Sequence, residues 1–508
     1  MSGVRSHMLT INVYPAHIKL EPKPPPDVEA IIKDAFSWEV PGAEHIMRRH
    51  RMSKHPRHVA SCWHCCWDGR RSLYAKQTLP IGFLYFLTEL LRDKTIPFTV
   101  QYHVTRPTPR HEWSYSFELR DYQQDCIDAM IDCGSGVISS PTGSGKSKIM
   151  VAAIAEFGLP SIIVVPRKNI FVQFIKEFKD NTDIPVGEVG SGSWDDTQPV
   201  TLAIAATLSK YPQRTQELLT GKQLLMVDEF HFSASATWQE IIAACPAYHR
   251  FGFSATPYRP DDLGDAQLRG LCGEDIFNIS TEELQAAGYL VPTDIRIIKL
   301  RCNPPTRVYD STIDDETGDM VGWRAAHYTK DKYREVISLN ETRNGIISDI
   351  IRHHVTQGDK VLCITAWDMQ GQVLLDKANS DGLNVIYMSG KDTKKKVKEK
   401  MDLFTDATGG VVCVGTSVLD CGLDLPSLNV LIIGGGGTYS GRTRQQIGRG
   451  LRPCEGKDKV ICYDFWDSDE HTRKKHFSKH SQSRWQTYED LGQKPVLCET
   501  AEDAIMQL

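Results

Sequence analysis

The segment SPTGSGKS at 140–147 has the residue types and spacing of a loop that binds phosphate. Glycines let such a loop curl so that successive backbone N–H groups point at phosphate oxygens, and the lysine can reach the β and γ phosphates of a nucleotide. A short apolar run precedes the loop and a helical apolar pattern follows it, an order that a chance glycine turn does not require. The residues that we predict to bind the nucleotide here are Thr142, Gly143, Ser144, Gly145, Lys146 and Ser147.

Further along the chain, the apolar run QLLMV ends in an acidic pair, Asp228 and Glu229, and His231 follows. Acidic groups at the carboxyl end of a parallel strand lie where α/β sheets bind their ligands. We predict that Asp228 holds Mg²⁺ together with the hydroxyl of Ser147, and that Glu229 orients or deprotonates the water that attacks the γ phosphate. Such a pair on its own is usually a solvated turn, but with the phosphate loop it predicts hydrolysis of ATP.

These groups need parallel sheets to position them, and the sequence predicts two. Short β-branched runs bounded by turn residues alternate with segments of helical length, which is typical of βαβ units. The predicted strands of the first sheet lie at 136–139, 161–165, 200–205, 223–227 and 250–254, and those of the second lie at 360–365, 383–388, 410–415, 429–433 and 459–463.

The distribution of proline indicates where the domains divide. Proline restricts its own backbone and that of the preceding residue, and proline-rich stretches at 21–27 and 105–113 therefore favour a boundary near residue 110. The region 301–330 shows little periodicity, so we expect an irregular insertion or hinge there. The predicted domains are 1–110, 111–290 and 291–508.

Composition excludes several classes of protein. Of the 508 residues, 41% are hydrophobic, 24% charged and 9% aromatic, as in soluble globular proteins rather than collagen-like, disordered or coiled-coil ones. No apolar run approaches the ~18 residues of a membrane span and no signal peptide is seen, so we expect a cytoplasmic protein without a membrane partner, in the host cytoplasm if a phage encodes it. The 14 cysteines are scattered, which favours free thiols in a reducing compartment.

The net charge of −5 excludes a global basic field, but one region is locally basic. Residues 44–76 contain eight lysines and arginines against two acidic residues, a net charge of +6. Cations can follow a phosphate backbone while aromatic rings stack on bases, so we predict that Trp67, Arg70 and Arg71 contact nucleic acid. The alternative is a solvated surface with the tryptophan in a small core. The CWHC segment at 62–65 leaves a zinc site open, although no second Cys-x-x-Cys pair completes a standard framework.

The motifs occur in the order found in superfamily-two helicases of the DExH type, which the chain resembles over about residues 117–455. GFSATP resembles the motif that couples the state of ATP to the grip on nucleic acid, which implies that role for Ser254 and Thr256 beside His231. LRDYQ resembles the motif that reads adenine, which implicates Gln123.

The remaining motifs imply contacts to nucleic acid and to the γ phosphate. VVPRKNIFVQF, ATLSKY and GTSVLDCGLDLP resemble strand-contacting motifs, and QQIGRGLR resembles the sixth motif, which supplies an arginine finger. The residues that the resemblance places on the nucleic-acid backbone are Arg167, Gln173, Thr207 and Thr416. Those that it places at the nucleotide are Asp424, Gln445, Arg449 and Arg452.

Both ends of the chain resemble phage UvsW-type helicases, on the segments CWDGRRSLYAKQTLPIGFLYFLTELL and YDFWDSDEHTRKKHFSKH. The resemblance implies an α/β protein with two tandem RecA-like parallel-sheet domains after a small α+β domain. It implies an ATP- and Mg²⁺-dependent motor that unwinds or branch-migrates forked and junction DNA. An RNA or R-loop helicase, and an ATP-gated binding or annealing protein, stay open as alternatives. The polar, basic segment after Trp466, which includes Arg484, is predicted to be helical.

Overall fold

The computed structural model describes residues 8–44, 46–47, 67–255, 261–301, 309–313, 320–325, 334–416, 425, 427–437, 457–469 and 476–506. The chain divides into two units, Met1–Pro141 with Gly145–Ile279 and Thr142–Ser144 with Ser280–Leu508. The finer division at residues 110 and 290 stays a prediction. Within the described ranges, no helix is long and apolar enough to cross a membrane.

The N-terminal region is an α+β module on a four-stranded sheet. In its first strand, Leu9, Ile11 and Val13 are buried on one face, as expected when alternate side chains point to the same side. The first helix begins with Pro26, a position where the missing N–H has no intrahelical partner to lose. The elements are β1 (Leu9–Val13), β2 (His17–Glu21), α1 (Pro26–Ala35), β3 (Ser37–Glu39), β4 (Arg70–Ser72), β5 (Thr78–Pro80), α2 (Leu84–Asp93) and β6 (Phe98–Tyr102). The sheet order is β5-β2-β1-β6, and β3 pairs separately with β4.

The first unit continues into an eight-stranded sheet with helices on both faces. Along one of its strands, Ile163 and Val165 belong to one hydrophobic core while Ile162 and Val164 belong to the other. Burial on both faces explains why such strands are continuous apolar runs. The elements are α3 (Asp121–Cys133), β7 (Ser135–Ser139), α4 (Lys146–Phe157), β8 (Ser161–Val165), α5 (Lys168–Asn181), β9 (Val186–Gly190), β10 (Ser193–Trp194), β11 (Val200–Ile204), α6 (Ala205–Lys210), α7 (Pro212–Thr220), β12 (Leu224–Asp228), α8 (Ala236–Ala244), β13 (His249–Ser254), α9 (Asp262–Cys272) and β14 (Asp275–Asn278). The order is β10-β9-β11-β8-β12-β13-β7-β14, and only β10 is antiparallel to its neighbour.

The second unit is built on a seven-stranded parallel sheet. Its strands share one core in which Ile347 and Ile351 pack from a covering helix. The elements are α10 (Thr281–Ala286), β15 (Thr293–Arg301), β16 (Tyr309–Ile313), β17 (Met320–Ala325), α11 (Glu341–Thr356), β18 (Lys360–Ile364), α12 (Asp368–Ser380), β19 (Val385–Met388), α13 (Lys394–Asp406), β20 (Val411–Gly415), β21 (Val430–Ile433), β22 (Val460–Ser468), α14 (His476–Asp490), β23 (Val496–Cys498) and α15 (Ala501–Met506). The order is β19-β20-β18-β21-β22-β15-β23.

The predicted α/β class with two parallel sheets after a small α+β module is confirmed. Nine of the ten predicted strands end within two residues of the observed bounds, and β22 continues beyond its predicted end to Ser468. The expectation of an irregular region at 301–330 was wrong in part, because β16 and β17 pair there as an antiparallel hairpin.

The basic C-terminal segment is helical as predicted over α14, and its Arg484 is a buried cation. The Arg484 Nε donates to the Asp464 carboxylate at 2.8 Å, and both side chains are almost fully buried. Tyr488 donates its hydroxyl to the same carboxylate at 2.6 Å. Arg484 therefore holds α14 against β22, since a buried charge must be paired to be tolerated.

The N-terminal module packs against α9, the helix that follows the GFSATP strand, with Ala266 in the module's core. A Cβ at Gly82 would overlap the carbonyl oxygen of Arg269 and would lie 2.7 Å from the backbone nitrogen of Gly273. Gly82→Ala should therefore lower the midpoint of thermal unfolding, since overpacking costs about 1–3 kcal/mol. Gly221→Ala is the matched control, because nothing lies within 4 Å of its added Cβ. Equal midpoints for both variants in a calorimetric scan would contradict this contact.

Candidate functional site

The predicted phosphate loop lies between β7 and α4, and its backbone needs glycine. Gly143 and Gly145 adopt φ values of +90° and +81°, in the left-handed region that other residues rarely enter. Lys146 is the first residue of α4. Its ammonium donates to the carbonyl oxygens of Ser140 and Pro141, at 3.0 and 3.2 Å. The Lys146 side chain thus lies over the loop that is predicted to bind the phosphates.

The predicted adenine-reading residue, Gln123, lies against this loop. It is buried near the start of α3, where its Oε1 accepts a hydrogen bond from the backbone N–H of Arg120 at 3.0 Å. A Cβ on Gly145 would lie 2.5 Å from its Nε2, so the amide and the loop are in direct contact. The structure therefore brings Gln123 and the phosphate loop together, and the adenine contact stays a prediction.

The predicted acidic pair sits at the carboxyl end of β12. Asp228 is the last residue of the strand, and Glu229 adopts φ +51° and ψ +53°. A non-glycine residue in this left-handed region stores roughly 1–3 kcal/mol of strain, and such strain clusters at functional sites. His231 Nδ1 lies 3.4 Å from Glu229 Oε2 and 3.1 Å from the hydroxyl of Ser254 at the end of β13. Glu229, His231 and Ser254 therefore form one contiguous group.

The electrostatics of the acidic pair favour a bound cation. Burial, and after it the neighbouring Glu229 carboxylate, raise the pKa of Asp228 to about 7 against the opposing effect of the Lys146 ammonium. A buried carboxylate beside a second one is stabilised by a positive charge. Hydroxyl and carboxylate oxygens are the ligands that Mg²⁺ prefers, so the donor set of Ser147 and Asp228 fits the predicted metal.

Three predicted strand-contacting residues lie in the first unit. Arg167 precedes α5 directly after β8, and Gln173 is exposed on α5. Thr207 lies on α6, directly after β11, which pairs with β8 in parallel. Arg167 and Thr207 thus follow the carboxyl ends of neighbouring strands, at the edge of the sheet where Asp228 ends β12, and Gln173 lies in the second turn of the helix that begins there.

The second unit carries one described residue of this set. Thr416 follows β20 and is 8% exposed. Its hydroxyl would lie 3.6 Å from a Cβ at Gly390, which marks a close approach of two loops. The other predicted residues, Thr256, Asp424, Gln445, Arg449 and Arg452, lie outside the described residues.

Two of the three N-terminal residues predicted to contact nucleic acid, Trp67 and Arg70, form hydrogen bonds within the N-terminal module. Arg70 pairs with the Asp34 carboxylate at 2.6 Å and donates to the backbone oxygen of Ser37, and Trp67 Nε1 donates to the backbone oxygen of Arg70. Arg71 is exposed. These bonds tie β4 to the end of α1, so the contacts of Trp67 and Arg70 give a structural reason for both residues. Their role in nucleic-acid binding stays a prediction.

The zinc alternative and most of the basic segment at 44–76 lie outside the described residues. Among the residues that are described, no group of three or more histidine, cysteine, aspartate or glutamate side chains is arranged to hold a metal ion.

Sequence reasoning missed one contact behind the acidic pair. The ring of Phe230 is fully buried over Gly252 on β13, where a Cβ would lie 2.5 Å from Cδ1 and 2.7 Å from Cδ2 of the ring. Gly252 sits opposite Val227 in the register of β12 and β13. Glycine inside a strand often marks a close approach of this kind, and the glycine of GFSATP was the available signal.

Comparison with known proteins covers both sheets. Residues 116–259 match the family model described as type III restriction enzyme, res subunit, and residues 343–454 match the helicase conserved C-terminal domain. Together the two matches span half of the chain. The crystal structure of T4 UvsW aligns with 97% of this chain and 99% of its own, at 18% identity and a TM-score of 0.41.

Two relatives with similar sequences are also named as helicases. Putative helicase 22 of Sulfolobus islandicus filamentous virus is 26% identical over 369 residues, which are 69% of this chain and 64% of that protein. The DNA 3'-5' helicase XPB of Kineococcus radiotolerans is 26% identical over 345 residues, 66% of this chain and 57% of that protein. The chain thus spans less than two thirds of the length of either relative. Since the two family models fall in order on the two parallel sheets, and the first of them covers the phosphate loop and the acidic pair, the chain belongs to the superfamily-two helicases.

Proposed function

We propose that this chain is an ATP-dependent DNA helicase or translocase that unwinds or branch-migrates forked and junction DNA in the cytoplasm. The observation that carries the proposal is the contiguous group of Glu229, His231 and Ser254. It joins the predicted hydrolytic carboxylate to the strand that leads into the coupling motif. The XPB relative is named as a DNA 3'-5' helicase, which supports DNA as the substrate.

The first chemical task is to hold and polarise the triphosphate. The Lys146 ammonium exchanges its loop carbonyls for β and γ phosphate oxygens, and the loop N–H groups complete the cradle. Ser147 and Asp228 would hold Mg²⁺, which neutralises charge on the phosphates when it is bound. The resemblance assigns Arg449 and Arg452 to the charge that develops at the γ phosphate.

The second task is to couple hydrolysis to nucleic acid. Glu229 accepts a proton from the attacking water, and His231 links its carboxylate to Ser254. A change in charge at the γ phosphate would therefore alter the hydrogen bonding of Ser254 at the end of β13, two residues before the predicted coupling residue Thr256 in the sequence. Arg167 and Thr207 lie at the same edge of the sheet and Gln173 on the adjacent helix, where they would bind the backbone of the nucleic-acid strand.

One assay of the purified chain tests the proposal. We expect single-stranded DNA to stimulate multiple ATP turnovers, and turnover to accompany strand separation or branch migration on forks and Holliday junctions more than on linear duplex. R-loops and RNA duplexes are measured in parallel, because a preference for them would favour the RNA alternative. ATP turnover that no nucleic acid changes, or nucleic-acid binding without repeated turnover, would contradict a motor.

A further inference from the structure

An aromatic and cationic patch lies beside β10, the last strand at one side of the eight-stranded sheet, and only two of its four residues, Lys210 and Tyr211, belong to a motif named above, ATLSKY. Trp194 is on β10, Lys210 ends α6, Tyr211 links α6 to α7, and Arg214 lies in the first turn of α7. The rings of Trp194 and Tyr211 meet edge to face with centroids 5.7 Å apart. The Arg214 guanidinium lies 4.3 Å from the Trp194 ring centroid, and Lys210 Nζ lies 5.4 Å from that of Tyr211.

The patch offers polar hydrogens and an aromatic ring to solvent. Tyr211 is 41% exposed, and Lys210 and Arg214 are exposed as well. Neither cationic side chain has a hydrogen bond or an ion pair with any residue that the structure describes, and each lies near an aromatic ring. The nearby carboxylate of Asp196 accepts a hydrogen bond from Trp194 Nε1 at 3.0 Å, which engages it locally.

The position of the patch relates it to the predicted strand contacts. Tyr211 is four residues beyond Thr207, at the end of the helix that begins where β11 ends. Trp194 pairs with Val189 of β9, which is parallel to β11, so both β9 and β11 point their carboxyl ends to the same edge as β12. A nucleic-acid strand that runs along this edge past Arg167 and then Thr207 would next contact the patch.

We propose that Trp194, Lys210, Tyr211 and Arg214 form a contact site for single-stranded nucleic acid. The Tyr211 ring stacks on an unpaired base, while Lys210 and Arg214 bind the flanking phosphates, and Trp194 holds Arg214 in position. Aromatic rings tolerate any base because every base has a π face, so the site would add affinity without sequence preference. This inference rests on the proposed function, because it extends the strand path predicted for Thr207.

Equilibrium binding of the full chain to a labelled oligothymidylate tests the stacking contact. We expect Tyr211→Ala to weaken binding about ten-fold, the usual cost of one lost base stack. Tyr211→Phe keeps the ring and should bind within about two-fold of the wild type, because stacking does not need the hydroxyl. Tyr85→Ala removes a tyrosine that is 68% exposed on α2 and should leave binding unchanged.

The salt dependence of the same binding tests the phosphate contacts. Lys210→Ala and Arg214→Ala should each reduce the slope of log K against log salt by about 0.7, as one lost phosphate contact does on a single strand. Lys395→Ala removes a lysine whose side chain is 88% exposed on α13, and its slope should match the wild type.

Two results would overturn the inference while sparing the proposed function. In one, the wild type binds and is stimulated by single-stranded DNA, and the Tyr211→Ala, Lys210→Ala and Arg214→Ala variants bind with unchanged affinity and slope. In the other, Tyr211→Phe loses as much affinity as Tyr211→Ala, which would assign the contact to the hydroxyl. A wild-type chain that binds no nucleic acid would overturn both the inference and the proposed function.

Discussion

Replacing Lys146 by alanine should reduce ATP turnover by about 10²–10³ or more, because the phosphate loop loses the cation aimed at charge on the β and γ phosphates. Lys146 already contacts the loop carbonyls of Ser140 and Pro141, so its side chain is in place to exchange them for phosphate oxygens. Binding of DNA in the absence of nucleotide should persist, since the residues predicted to contact the strand lie outside the phosphate loop and α4. Steady-state hydrolysis with saturating single-stranded DNA measures the effect.

The matched control for this variant is Lys179→Ala, which removes an exposed lysine from the last turn of α5 in the same unit. Its turnover should equal that of the wild type. Near-normal hydrolysis by folded Lys146→Ala protein would show that the loop at 140–147 does not hold the transferred phosphate.

Gly252→Ala should cut ATP turnover about 10²-fold although residue 252 touches neither nucleotide nor metal in the proposed mechanism. The new Cβ would lie 2.5 Å from Cδ1 of Phe230, whose ring is fully buried. The ring must move, and Glu229 is the residue before it, in a strained backbone conformation. A displacement of about 1 Å at a reacting group costs turnover of this size.

Rescue distinguishes displacement of Glu229 from general loss of folding. Adding Phe230→Leu to Gly252→Ala shortens the buried side chain, and we expect turnover to recover in part while nucleotide affinity stays constant throughout. Gly221→Ala, whose added Cβ has open space, should change neither quantity. Unchanged turnover in Gly252→Ala would refute the positioning role. So would a loss of nucleotide affinity as large as the loss of rate.

Local patterns determined most of the fold and the outline of the site. The ten predicted strands were all found, because strands buried on both faces are continuous apolar runs that a short window of sequence reveals. The phosphate loop could also be predicted from a short stretch of sequence, because SPTGSGKS is identified by its own residues together with the strand before it and the helix after it. Asp228 and Glu229 followed from their place at the end of an apolar run.

Contacts between distant residues were decided only by the tertiary structure. Charge counting does not distinguish Arg70, which pairs with Asp34 at the surface, from Arg484, which is buried against Asp464. A residue's charge says nothing about whether a carboxylate from another element will bury it, because that depends on packing. The same holds for the Phe230 ring on Gly252, which the parallel register of β12 and β13 creates. The sequence by itself thus determined which chemistry this protein carries, and the packing of its elements decided which side chains remain available to perform it.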